Sequence, residues 1–148
     1  MVLKKNKKKN FFNSLIGLMI KNGNKQKCQE ILYKAIKNTS TIAGINAISV
    51  LRTIFKRLCV FVEIKTIKQK KRIRVIPKYL NYNRRLFLTS KLLLNSVVGD
   101  KKRRPFHQKL TEEFLLLINS PKKAKSFLKK KEYEKTATKH KANCNYRW

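Results

Sequence analysis

Few side chains in this chain could carry general acid–base, nucleophilic or metal chemistry: seven acids, two histidines and three cysteines among 148 residues. Such chemistry needs these groups within reach of one another. Glu112 and Glu113 are adjacent, and Glu132 and Glu134 are two apart, so on a helix neither pair shares a face. Glu30, Glu63 and Asp100 stand alone in the sequence. His107 and His140 have no carboxylate at helical spacing and no metal-ligand pattern. Cys28, Cys59 and Cys144 are scattered, which suits neither a disulfide framework nor a zinc motif and reads as buried or unreactive thiols in a reducing compartment. With four glycines in all, there is no P-loop and no glycine-rich dinucleotide turn. The expectation is a protein that is not an enzyme and uses no metal or cofactor.

The chemistry that is present is cationic. Thirty-eight Lys and Arg against the seven acids give a formal net charge of +31. A charge of that size repels itself and opposes compaction, and a polyanion relieves it. Nucleic acid is the first candidate partner and an anionic membrane surface the second. A membrane would need an apolar anchor beside the charge. The longest apolar run, FFNSLIGLMI at 11–20, follows KKNKKKN in the order of a signal peptide, but Asn13, Ser14 and Gly17 interrupt it and no small-residue cleavage site follows. No stretch approaches the roughly 20 apolar residues of a spanning helix, so no membrane partner is expected.

The elements that must position the cations follow from periodicity. Residues 1–10 are a basic arm with almost nothing to bury, expected to be disordered until it meets an anion. Residues 11–148 read as a single helical domain. Phe12, Leu15, Ile16 and Met19 recur at helical spacing, and Asn22-Gly23 is the stop. A second helix runs from about 25 to 38, with Cys28, Ile31, Leu32, Ala35 and Ile36 on one stripe, and TSTIAG breaks it. A third, over about 44–57, turns Ile45, Ile48, Leu51, Phe55 and Leu58 inward. The period then changes to two: VFVEIKTI and RIRVIPKYL flank a short polar link and predict a β-hairpin over about 60–80, with Pro77 marking an edge strand. In the second run, Arg72 and Arg74 alternate with Ile73 and Val75. Asn83 is the candidate N-cap of a helix over 84–98, and a fifth helix follows Pro105 and stops at NSP, 119–121. A last helix over about 122–145 is polar nearly all round, so it needs a surface to dock on. The fold class is therefore mainly α, about six helices with one hairpin protruding between the third and fourth.

Several of these elements are candidate anion sites. The arm carries Lys4, Lys5, Lys7, Lys8 and Lys9. The hairpin tip and the faces near it carry Lys65, Lys68, Lys70, Lys71, Arg72 and Arg74, with no acid near the tip. They make either an ordinary solvated hairpin or a basic ribbon that reaches into RNA. The closing residues Tyr146, Arg147 and Trp148 include the single tryptophan. They either stack on bases with Arg147 on phosphate, or pack Trp148 on the protein's own helices.

Five stretches together resemble one family. LMIKNGNKQKCQEILYKAI at 18–36, EIK at 63–65, VIP at 75–77, NRR at 83–85 and the closing ANCNYRW are similar, in order and spacing, to segments of small-subunit ribosomal protein seven of bacterial and organellar type. The resemblance spans Leu15 to Trp148. It departs from the family at Lys70-Lys71, where Gly-Gly is usual, at Cys59-Val60, where Arg and Pro are usual, and at Lys91-Leu92, where Arg-Trp is usual.

The resemblance implies binding to the 3′ major domain of small-subunit rRNA, nucleation of head assembly, and a place near the E site and the mRNA exit. By position it makes Lys21, Lys25, Lys27, the hairpin bases, Arg84 and Arg85 rRNA contacts, with Tyr146, Arg147 and Trp148 on the family's closing residues. Neighbouring head proteins, mRNA and E-site tRNA are the further implied partners, and no homo-oligomer is expected. The crowding of Lys, Asn and Ile, all with A/T-rich codons, fits a mitochondrial gene, with a plastid as second choice. A Lys/Asn-rich start, unlike an Arg/Ser-rich transit peptide, favours synthesis inside the organelle. The competing readings are a free-standing organellar nucleic-acid-binding protein, which would not need the ordered run of motifs, and a cationic membrane-active protein, which would need a stronger amphipathic segment.

Overall fold

The computed structural model describes residues 10–69, 72–100 and 103–145. They form six α-helices, α1 (Phe11–Met19), α2 (Lys25–Ala43), α3 (Ala47–Leu58), α4 (Tyr82–Val98), α5 (Phe106–Asn119) and α6 (Lys125–Lys139). Between α3 and α4 stands an antiparallel hairpin of β1 (Val62–Gln69) and β2 (Arg72–Tyr79). Short 3-10 segments lie at Pro121–Lys123 and Lys141–Asn145. The architecture is the one the periodicity predicts.

The apolar stripes of α1 to α5 meet in one core. Leu15, Leu32, Val50, Ile54, Leu93, Leu110, Phe114 and Leu117 are fully buried in it. A smaller cluster of Val60, Leu80 and Leu92, with Leu88 against it, ties the hairpin base to α4. The first two helices meet through a tight turn in which Asn22 (φ 51°) and Gly23 (φ 75°) take the left-handed conformation that Gly and Asn tolerate best.

Several boundaries and faces differ from expectation. The helix α2 does not break at TSTIAG. It continues to Ala43, and Gly44, at φ 65°, ends it. Thr39 is buried and donates its hydroxyl to the Ile36 carbonyl at 2.8 Å, while Thr41 donates to Asn38 at 2.9 Å. Both hydroxyls are satisfied within the helix, so tertiary burial overrides weak propensity. In α3 the inward residues are Val50, Ile54 and Leu58, whereas Ile48 is exposed and Leu51 and Phe55 are only half-buried, because packing on α2 and α5 sets which face turns inward. Phe11, not Phe12, is buried in α1. Asn81, not Asn83, precedes α4, and its side chain makes no capping bond. Ile73 is exposed and does not alternate inward against Arg72. Burial along β2 rises toward the base at Ile76 and Pro77, since the outer ribbon has nothing to pack on. The last helix ends at Lys139, short of 145.

The docking of α6 explains how so polar a helix forms. Only Ser126 of it is buried, and Ala124 at its N-cap has no side chain to offer. The cap comes from α5. Buried Glu113 accepts hydrogen bonds through one carboxylate oxygen from the Ser126 backbone N–H at 2.9 Å and its hydroxyl at 2.6 Å. An anion at a helix N-terminus also complements its dipole. Further along, Lys130 donates to the Arg57 carbonyl at 2.8 Å and Lys129 to that of Asn95 at 3.3 Å. Arg57 in turn donates to the carbonyls of Leu117 and Ile118 at the end of α5, the latter at 2.6 Å. Some cations therefore brace the fold rather than face outward.

Candidate nucleic-acid interface

The hairpin register sorts its side chains onto two faces. Glu63 pairs with Lys78, Lys65 with Ile76, and Ile67 with Arg74. Because alternate residues share a face, Lys65, Arg72, Arg74 and Lys78 stand together, with Glu63 as the acid of that face. The opposite face holds Val62, Ile64, Thr66, Ile73, Val75, Pro77 and Tyr79, with Lys68 toward the tip. The ribbon is thus basic on one side and largely apolar on the other. Lys65, Lys68, Arg72 and Lys78 are exposed, and Arg74 is half-buried. On the apolar side the Lys141–Asn145 segment lies along β2, where the Asn143 amide donates to the Val75 carbonyl at 3.0 Å.

The base of the ribbon is held by the two arginines of NRR. Arg84 makes a two-pronged pair with Glu63: Nε donates to Oε2 at 3.1 Å and Nη2 to Oε1 at 2.5 Å. Its guanidinium lies 5.2 Å from the Phe87 ring centroid. Arg85 donates to the Leu80 carbonyl at 2.9 Å and sits 4.7 Å over the Phe61 ring. Both residues therefore have an internal task, and the resemblance alone did not reveal it. They clamp the hairpin to α4 while Arg84 keeps an exposed edge.

The Arg84 guanidinium beside Glu63 holds its carboxyl below the ordinary value of 4.5, and the same pair raises Arg84. A carboxylate whose pKa is lower folded than unfolded stabilises the fold fully above its unfolded pKa, and that contribution fades as pH falls through the folded one. Glu63→Gln is expected to loosen the hairpin base at neutral pH. The difference from wild type should shrink only as pH falls below the ordinary carboxylate range, through the lowered pKa of Glu63. Amide exchange of β1 and β2 from neutral pH down to about pH 2, well below an ordinary carboxylate, measures it. A difference that persists unchanged at the acid end would show that the ion pair is not the clamp.

The other predicted residues are dispersed. Lys21, Lys25 and Lys27 are exposed on the α1–α2 turn and the first turn of α2, a stretch separate from the hairpin. Lys4, Lys5, Lys7, Lys8, Lys9, Lys70, Lys71, Tyr146, Arg147 and Trp148 lie outside the described residues. Two further cations join the expected ones. Lys78 completes the period-two series 72, 74, 76, 78 beyond Pro77, and Lys91 shares with Arg84 a helix stripe spaced 84, 88, 91, 95. Both spacings were visible in the sequence.

None of the six helices has an acid in its first turn or a side-chain capping bond at its N-cap. Helix N-termini carry partial positive charge that acids normally complement. Here the scarcity of acids leaves most of it unbalanced, with Glu113 supplying the α6 end from outside.

The remaining chemistry is sparse. Among the described residues no three His, Cys, Asp or Glu groups converge to hold a metal, and no helix is long and apolar enough to cross a membrane. Cys28 and Cys59 are buried, and burial pushes the Cys59 thiol up, away from the reactive thiolate. Cys144 is exposed, because it lies on the outer 3-10 segment.

No curated protein matches the chain at a significant level. A family model does, over residues 1–141, and its description is Ribosomal protein S7p/S5e. That stretch includes α1 to α6, the hairpin and the α4 clamp. A ribosomal family of this kind is structural, and its members bind small-subunit rRNA. With nearly its whole length matched, the chain belongs to the Ribosomal protein S7p/S5e family.

Proposed function

We propose that the protein binds the 3′ major domain of small-subunit rRNA, nucleates assembly of the subunit head, and lies near the E site and mRNA exit of a mitochondrial ribosome. The observation that carries the RNA contact is the basic face of the hairpin, where Lys65, Arg72, Arg74 and Lys78 share one side of a ribbon. Phosphates on that face release condensed counterions from the RNA and relieve the +31 charge. Arg72 and Arg74 add planar, two-pronged phosphate contacts that Lys cannot make. RNA is read by shape, backbone and unstacked bases, which suits a protruding ribbon better than a helix laid in a groove. Arg84, Lys21, Lys25, Lys27, the arm lysines, Lys68, Lys70 and Lys71 extend the footprint. Tyr146 and Trp148 stack with Arg147 on phosphate. Neighbouring head proteins, mRNA and E-site tRNA complete the surroundings.

The experiment is sedimentation of lysed, purified mitochondria on sucrose gradients at moderate salt. The protein is expected in the small-subunit peak and to leave it after ribonuclease treatment. Recovery at the top of the gradient, or on mitochondrial DNA insensitive to ribonuclease, would support the free-standing nucleic-acid binder instead.

A further inference from the structure

Between β1, α4 and α6 the described residues leave an open cleft of about 200 Å³. Its floor is apolar, made by buried Val60 and Leu92 with Leu88 against them. Phe87 and the half-exposed Tyr133 are its aromatic walls. Glu63, Arg84 and Lys91 bring one carboxylate and two cations to it. The volume is below the roughly 300–1,000 Å³ of clefts that hold drug-sized ligands and suits a single planar heterocycle.

The polar groups narrow the choice. The Glu63 carboxyl is held in its charged form; the Arg84 fork occupies the lone pairs of its two oxygens that face the same way, and the remaining ones diverge, so a ligand is accepted by one oxygen at a time. Lys91 is exposed and makes no hydrogen bond or ion pair among the described residues. An ionised carboxylate accepts only, so it selects a ring edge with adjacent donors. Guanine offers N1–H beside N2–H on its Watson–Crick edge. Adenine and cytosine place a ring acceptor beside their amine, and uracil flanks its single N–H with two carbonyls. We propose that this cleft receives one unstacked guanine of the bound RNA, its ring against Phe87 and Tyr133, N1–H and N2–H both donating to one oxygen of Glu63, and its phosphate on Lys91. The proposal rests on the rRNA-binding reading and adds a base-specific pocket to it. Unstacked bases held on aromatic rings are the usual means of sequence-specific RNA recognition.

The test uses the full chain bound to a transcribed 3′ major-domain fragment carrying 6-thioguanosine or, in a second preparation, 4-thiouridine. After irradiation, the 6-thioguanosine fragment is expected to crosslink to a peptide containing Phe87 or Tyr133, and the 4-thiouridine fragment is not. Asn95→Trp, at an exposed position on the rim of the cleft, is expected to cut that crosslink at least tenfold while the fragment still binds with the same salt slope. A fragment that binds without a crosslink in the cleft, or a crosslink indifferent to Asn95→Trp, overturns the pocket and leaves the rRNA reading intact. A fragment that does not bind at all overturns the rRNA reading. The pocket is then judged by short oligonucleotides, UUGUU against UUAUU, where a guanine preference of about tenfold is expected from carboxylate readout and equal affinity rejects it.

Discussion

Affinity of the full chain for a 3′ major-domain rRNA fragment is expected to fall by about 10³–10⁵ as salt rises from roughly 50 to 200 mM, the effect of six to ten phosphate contacts. The composition demands it, because 38 cations face only seven acids. The ion pairs among the described residues, Glu63–Arg84, Glu112–Arg104, Asp100–Lys125 and Glu134–Lys130, use up only a few of those cations. Replacing Lys65, Arg72, Arg74 and Lys78 together by Ala is expected to flatten the log–log salt slope by about one unit for each phosphate left without its cation. These side chains lie on the ribbon, away from the helical core, so helical circular dichroism should be unchanged. A slope equal to wild type would refute a phosphate-binding face. A matched set of four exposed cations on α2 and α3, Lys34, Lys37, Arg52 and Lys56 each to Ala, removes the same charge elsewhere and separates a local contact from a general charge effect.

The second large effect concerns the fold. Glu113→Ala is expected to destabilise the protein by about 2–4 kcal/mol, since it strands a buried N–H and a buried hydroxyl and removes a charged cap. Against a total stability of roughly 5–15 kcal/mol this is a large fraction. Glu113→Gln keeps a carbonyl acceptor for Ser126 and should cost about half as much. Ser126→Ala added to Glu113→Ala should lose less than the sum of the two single changes, because one stranded donor disappears with its partner. Urea midpoints measure the series. An Ala variant within about 0.5 kcal/mol of wild type, the range of ordinary surface changes, would show that α6 does not depend on this cap. Because α6 also packs on β1, the same change should raise amide exchange at the hairpin base.

The helices and the hairpin were legible because apolar side chains repeat at 3.6 residues in the helices and at two in the strands, and the switch at Val60–Val62 is abrupt. Element ends were less legible. Thr39 and Thr41 look like a break, yet a hydroxyl that bonds within its own helix is no obstacle to continuing it. In the same way, Ile48 and Ile73 look like core residues by type. Each is exposed because burial depends on what stands opposite, which a one-dimensional pattern does not contain.

Charge, the mainly helical class and the inserted hairpin were all determined by the sequence alone, since each is a property of residue type or of local spacing. The tertiary structure decided which cations are committed inward. Arg57, Arg84, Arg85 and Lys130 brace carbonyls, a carboxylate or a ring, while Lys65, Arg72 and Lys78 stay exposed on one ribbon face. It also decided that Glu113 would cap a helix 13 residues away. These assignments rest on distances between elements far apart in the chain, and electrostatics and hydrogen bonding act through those distances, not through order in the sequence.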